Sequence, residues 1–275
     1  MGRNKIKVSY APLKNAGDMM NKDLIERLSN KKVVMSKTYN ADMIAIGGAL
    51  IGTQYSNGVR RFLQRLLRIV YKSRPLYVWG AGFWKNDNPN GIFRYNLKVC
   101  ALRGEKTRQK LSELTGEQYE VPLADAGLLA SMFLNGEVKK KYCIGVVPHL
   151  SQQNDACLDV FKSNDKYHII DICNSPENVI NEIASCDYIL SSSLHGLIFS
   201  DSLHIPSLHL ILDKQILGGN FKFEDYYSSY GIEDDPWYIE NGLPSEKDIQ
   251  QRYNIRFEDV ENKKKQLLEC FPRQI

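Results

Sequence analysis

Along this chain, short β-branched runs alternate with segments whose apolar positions recur every three to four residues. Residues 6–10 (IKVSY) predict a strand, and 18–28 predict a helix with Met20, Leu24, Ile25 and Leu28 on one face. Strands are expected again at 32–35, 43–46, 76–79 and 97–102, with helices at 59–72 and about 105–114. A charged, glycine-containing stretch (NGEVKKK) fills 135–141. The pattern then restarts, with strands at 142–147, 168–172, 188–190 and 207–212 and helices at 156–161, 176–185 and 196–203. Pro176 suits a first helical turn, where its missing N–H would have had no partner. Strands alternating with helices imply parallel βαβ units. The fold class expected is α/β, in two domains with a cleft between them. The boundaries fall at 1–135 and 142–255, followed by a helical segment at 256–275.

Composition narrows the field without changing that picture. The 275 residues are 43% hydrophobic and 25% charged, which excludes a disordered or fibrous chain. The longest apolar stretch, 43–52, is about half of what a membrane span needs. The first ten residues lack the long apolar segment of a secretory signal, so a cytoplasmic location is expected. Lys and Arg number 36 against 32 Asp and Glu, a net charge of +4 that gives no argument for nucleic acid. None of the six cysteines forms a C-x-x-C pair, so neither a zinc ribbon nor a dithiol redox site is expected. Cys100, Cys143 and Cys173 lie in apolar runs and are expected as small, reduced core residues.

Ligands of open α/β sheets bind beyond the carboxyl ends of the strands, so candidate chemistry belongs at strand-to-helix junctions. The richest is DYILSSSLHG (187–196), where a strand runs into Ser191, Ser192, Ser193, Leu194, His195 and Gly196. Hydroxyls and backbone N–H groups at a helix start favour an anion, and His195 could move protons near neutral pH. A serine cap with a structural histidine is the competing reading. Arg103, between a strand and a helix, offers a planar fork for carboxylate or phosphate, or else caps a neighbouring helix. Asn15 and Asp18 open the first helix, where they either cap it or grip sugar hydroxyls. Gly17 is read as easing a tight turn there. His149 ends the first strand of the second half. Gly48 and Gly82 sit in glycine junctions that complete neither G-x-G-x-x-G nor a Walker pattern, so they give no support to a dinucleotide or P-loop site. Lys214 and Lys222 flank a glycine pair in what reads as a binding loop over 214–227. Arg60, Arg61, Arg65, Arg68 and Lys72 give the helix at 59–72 a basic face. That face is either solvated or a peripheral contact with an anionic membrane.

Six motifs in order resemble the polysaccharide pyruvyl transferase family: NAGD (15–18), IGGALIG (46–52), VWGAGF (78–83), LRGEKT (102–107), VPH (147–149) and SSSLHG (191–196). The resemblance runs from about residue 8 to 227. It implies a fold of two Rossmann-like domains, as in GT-B glycosyltransferases. It also implies transfer of pyruvate from phosphoenolpyruvate to a sugar as a ketal, on a capsular or exopolysaccharide precursor that is free or lipid-linked. His195 then matches the family's catalytic histidine and Arg103 its donor-binding arginine. Asp18 and His149 are placed on the acceptor or as a second acid/base, and no metal or cofactor is expected. Two departures stand out. Many members carry Arg or Lys where this chain has Ser193, so Lys214 or Lys222 is a candidate replacement. The loop 124–127 (ADAG) also lacks the Gly-Asp-Pro of many relatives. A nucleotide-sugar glycosyltransferase on the same fold and a non-catalytic glycan-binding relative are the alternatives.

Overall fold

Parallel neighbours cannot be joined by a tight hairpin, so each sheet must be laid down by strand-and-crossover repeats. The computed structural model describes residues 4–47, 70, 74–86, 94, 96–134, 136–212, 216 and 219–275. Strands β1 (Lys5–Ser9), β2 (Lys32–Met35), β3 (Met43–Ile44), β4 (Leu76–Ala81) and β5 (Leu97–Leu102) form one sheet in the order β2-β1-β3-β4-β5. Strands β6 (Tyr142–Val147), β7 (Tyr167–Ile169), β8 (Cys186–Ser191), β9 (Ser207–Ile211) and β10 (Trp237–Tyr238) form a second, ordered β10-β9-β8-β6-β7. Every pairing in both sheets is parallel. The fold class is therefore mixed α/β with two parallel five-stranded sheets. The chain reverses its direction of sheet growth beside β1 in one sheet and beside β6 in the other. Crevices open at such reversals, between β1 and β3 and between β6 and β8.

The helices are α1 (Ala16–Ser29), α2 (Glu105–Thr115), α3 (Asp159–Lys162), α4 (Pro176–Ala184), α5 (Leu194–Ser202), α6 (Phe221–Ser228), α7 (Glu246–Arg252) and α8 (Phe257–Glu269). Asn15 caps α1, its Oδ1 accepting the Gly17 N–H at 3.0 Å, and Met20, Leu24 and Ile25 form its buried face. The largest apolar cluster draws on both sheets, from Val8 and Met43 to Val147, Ile189 and Leu197. Backbone bonds also join the halves: Ala16 N–H donates to Ile172 O at 2.8 Å. The C-terminal helix α8 returns to the first sheet. Trp79, wholly buried, donates from Nε1 to Leu267 O at 2.9 Å and meets the Phe271 ring edge-on at 4.9 Å.

Several expectations need correction. The segment 156–161 is a 3₁₀ turn, Ala156–Leu158, followed by the single turn α3. Asp155 caps the first of these, its Oδ1 accepting Cys157 N–H, so the segment opens as a 3₁₀ turn. The loop expected over 214–227 contains α6. Its buried face includes the charged Asp225 beside Phe223 and Tyr226, so the apolar period is interrupted in the sequence. Cys100, Cys143 and Cys173 are half-buried, and Cys186 is the cysteine that reaches the core. All six thiols are free. Gly48, Gly52, Lys214 and the basic helix expected at 59–72, with Arg60, Arg61, Arg65, Arg68 and Lys72, lie outside the described residues. Among the described residues, no helix is long and apolar enough to cross a membrane.

If α8 is part of the common core, Trp79→Ala removes a buried ring and takes the indole hydrogen bond from the Leu267 carbonyl. The expected loss is about 3–5 kcal/mol, read as a lower urea midpoint with one cooperative transition. A wild-type midpoint would show that α8 docks loosely.

Candidate active site

Both crevices open into one pocket of about 450 Å³. From the first half it takes Ser9 and Tyr10 at the end of β1, Asn15 and Asp18 at the start of α1, Gly47 after β3, Trp84 after β4 and Arg103 after β5. From the second half come His149 after β6, Ser193, Leu194 and His195 after β8, and Lys222 on α6. Of the residues singled out in the sequence, the structure thus gathers Asn15, Asp18, Arg103, His149, Ser193, Leu194, His195 and Lys222.

His195 stands in the first turn of α5 and reaches across to α1. Its Nδ1 lies 2.8 Å from Asn15 Oδ1. The same oxygen accepts the Gly17 N–H, which fixes that atom of the amide as the acceptor. Nδ1 must therefore carry the proton, and Nε2 keeps a lone pair. Nε2 is shielded from water and has no partner in the protein among the described residues. Burial, then the positive charges of Lys222 and Arg103, push the His195 pKa down to about 3. Gly17 serves this contact rather than a tight turn. A Cβ there would lie 2.1 Å from the imidazole, so only glycine lets the ring approach α1.

Asp18 is shifted the other way. Burial raises its carboxyl to about 7, against the pull of Lys222 and with help from the charge of Asp125. His195 and Asp18 flank Gly47: a Cβ on that residue would lie 3.4 Å from His195 Nε2 and 3.6 Å from Asp18 Oδ1. A neutral imidazole with a free lone pair and a carboxyl that holds its proton near neutrality thus face one space. Opposed shifts of this kind separate a base from an acid.

The cations come next. Arg103 is wholly buried, with Nε 2.8 Å from Asp225 Oδ2 and Nη2 donating to Phe83 O. Its Nη1 has no partner among the described residues. Asp225 also accepts from Thr107 N and Thr107 Oγ1, each at 2.7 Å. Two glycines admit this arrangement. A Cβ on Gly82 would lie 2.4 Å from Arg103 Cζ, and one on Gly104 would lie 1.7 Å from Asp225 O. Lys222, one turn before Asp225 on α6, is lowered to about 8 by burial and then by Arg103. His149 is lowered to about 4 by burial and then by Lys222, and its Nδ1 lies 2.8 Å from Ser151 Oγ.

The serines divide. Ser191 Oγ lies within hydrogen-bonding distance of Val147 O and Ser193 O and accepts Ser193 N–H. Ser192 Oγ donates to Gln152 Oε1 at 2.7 Å and accepts His149 N–H. Both are engaged in holding the turn, and Ser193 is the serine that lines the pocket. Gly196 packs against that turn, since a Cβ there would lie 2.3 Å from Ser191 Oγ. Sequence reasoning passed over Asp225 and Trp84. A carboxylate inside the aromatic run FKFEDYY was the available sign for Asp225.

Fold and pocket together define a parallel α/β protein whose strand-end pocket gathers His195, Asp18, Arg103 and Lys222. The polysaccharide pyruvyl transferase family model matches residues 3–214, and the chain belongs to that family. It is 28% identical over 233 residues to the uncharacterized protein L143 of Acanthamoeba polyphaga mimivirus, covering 81% of this chain and 73% of that one. Among solved structures, it is similar to the functionally uncharacterized protein KP1_0663 from Klebsiella pneumoniae subsp. pneumoniae NTUH-K2044. That likeness has a TM-score of 0.45 and 16% identity, over 86% of this chain and 93% of that one. An alpha1,3-fucosyltransferase gives a TM-score of 0.24 at 11% identity, over 97% and 81% of the two chains. Neither structural likeness carries the reading that follows.

The tautomer is directly measurable. In ¹⁵N NMR of histidine-labelled protein, His195 is expected to stay neutral with the proton on Nδ1 throughout the mildly acidic range. Titration near the ordinary histidine value of about 6.5 would show that the ring is not held as described.

Proposed function

We propose that this pocket transfers pyruvate from phosphoenolpyruvate to two hydroxyls of a sugar, forming a cyclic ketal and releasing phosphate. The observation that carries the reading is the pair His195 and Asp18 on either side of Gly47, with Arg103 Nη1 and Lys222 beside them. Family membership makes the protein a member of a pyruvyl transferase group. The donor, the acceptor and the roles below are our inference.

Phosphoenolpyruvate brings a carboxylate and a phosphate, which calls for concentrated positive potential. Arg103 Nη1 is a donor without a partner in the protein, and Lys222 supplies a second cation on the same wall. Lys222 answers the departure at Ser193, taking the place of the basic residue that many relatives carry two positions before the histidine. Asp18 gives its proton to the methylene carbon, leaving an oxocarbenium-like centre at C2. The sugar hydroxyl attacks C2 as His195 Nε2 accepts its proton. Phosphate departs with the C–O electron pair, and the second hydroxyl closes the ring. Of the two hydroxyl protons, one replaces that of Asp18 and the other leaves on phosphate. Proton transfer by positioned groups contributes on the order of 10²–10⁴-fold each. With this reading goes a two-domain, GT-B-like arrangement divided near residues 135–142, and a sugar of a capsular or exopolysaccharide precursor as acceptor. Asn15 acts through His195, and His149 faces the acceptor side.

Incubation with phosphoenolpyruvate and a panel of glycosides, with assay of released phosphate, tests the reading. His195→Ala is expected to abolish release in a protein of unchanged melting temperature. Arg103→Ala is expected to weaken phosphoenolpyruvate binding by roughly 1.5–3 kcal/mol, with Arg103→Lys recovering only part. Stabilisation by nucleoside diphosphates and none by phosphoenolpyruvate would transfer the site to glycosyl-transfer chemistry.

The pH profile has a stated sign. Asp18 is raised to about 7, so its acid form is populated below that value and lost as pH rises through it. Lys222 loses its charge in the next interval, near 8. His195, lowered to about 3, is already neutral and adds no acid limb near neutrality. Turnover is therefore expected to fall on the alkaline side, and Asp18→Asn to remove it. A rate that rises through pH 7 would exclude Asp18 as the acid.

A further inference from the structure

A second pocket, of about 530 Å³, opens at the carboxyl ends of β9 and β10. It shares a wall with the first. Ser192 lines this pocket and its neighbour Ser193 the other; Asn220 lines this one and Lys222 the other. The Ser192–Gln152 hydrogen bond forms part of that wall, and His149 N–H, from the first pocket, donates to the same serine.

The chemistry of the two pockets differs. The first holds Arg103 and Lys222. Among the described residues lining the second, Glu240 is a carboxylate and there is no lysine or arginine. Its polar anchor is His209, only 2% exposed. Asp234 holds His209 Nδ1 at 2.8 Å, and the ring stacks on Phe223 at 3.7 Å between centroids. The imidazole is thereby fixed on one edge and one face, and Nε2 is its remaining hydrogen-bonding atom. Phe223 follows Lys222 directly, so one turn of α6 serves both pockets. Tyr238, 44% exposed, adds an aromatic ring to a wall that also holds Leu210 and Ile239. A pyranose has apolar C–H faces and a rim of uncharged hydroxyls, which suits such a mixture. A diphosphate would meet Glu240 with no countercharge from the described wall.

We propose that this pocket is an acceptor subsite, taking one uncharged sugar unit next to the unit that receives pyruvate. The proposal rests on the pyruvyl-transfer reading of the first pocket. It makes the enzyme selective for an oligosaccharide over a single sugar, and it assigns that selectivity to Tyr238, Glu240 and His209.

The test compares methyl pyranosides with the matching methyl disaccharides, using phosphoenolpyruvate and the full chain. The disaccharide is expected to show a KM roughly tenfold lower, about 1.4 kcal/mol of extra binding. Tyr238→Ala and Glu240→Ala, both at the surface, should raise the disaccharide KM to that of the single sugar. They should leave the phosphoenolpyruvate KM and the rate on the single sugar unchanged. Equal KM values in the wild type, or an unchanged ratio in both variants, would overturn the subsite while leaving pyruvyl transfer standing. Saturation-transfer NMR without phosphoenolpyruvate separates the two ideas. Tyr238-dependent contact with the disaccharide in a protein that releases no phosphate would keep the pocket as a sugar site but sink pyruvyl transfer and, with it, the acceptor role. Stronger Tyr238-dependent contact with a nucleoside diphosphate would overturn the subsite as a sugar site.

Discussion

The site depends on one buried ion pair, Arg103 with Asp225, in which neither side chain is exposed to solvent. Removing such charges from water costs several kcal/mol each, and only good geometry with further hydrogen bonds offsets it. Here Thr107 gives Asp225 two of those bonds and Phe83 O takes one from Arg103. The pair sets the direction of the guanidinium, leaving Nη1 without a partner among the described residues. It also fixes α6 against the end of β5 and the start of α2, and with α6 it fixes Lys222. Both cations of the pocket are therefore placed by one contact between residues 122 positions apart.

Burial acts on His195 and Asp18 in opposite senses from a single cause. Loss of water disfavours whichever form is charged, so it empties His195 of its second proton and keeps one on Asp18. Lys222 and Arg103 add to the first shift, and Lys222 partly reverses the second. An anion beside those cations would offset their charge and leave burial, the larger cause, to keep the imidazole neutral.

Much of this was legible in the sequence. Strand ends could be located from short β-branched runs, and the place of the pocket followed from the geometry of parallel sheets. That reasoning found Asp18, Arg103, His149 and His195 on four separate segments. It could not show which hydroxyls were already engaged, because Ser191, Ser192 and Ser193 differ only in which way a tight turn aims them. Asp225 was hidden for a related reason. A buried charge on a helix breaks the apolar period that marks the helix, so the segment carrying both Asp225 and Lys222 read as a loop. The roles of Gly17, Gly82 and Gly104 arise from long-range approach, which local patterns do not encode.

The contact between Asn15 and His195 joins residues 180 apart and spans the two halves of the molecule. The Nδ1-protonated tautomer is consequently a property of the assembled chain and of neither half separately. Residues 142–238 lack the amide oxygen that holds it, which comes from the start of α1. During folding, whether spontaneous or on the ribosome, the ring is held in this form only once α1 and α5 meet. The geometry of a single amide oxygen thereby ties the position of one proton to completion of the fold.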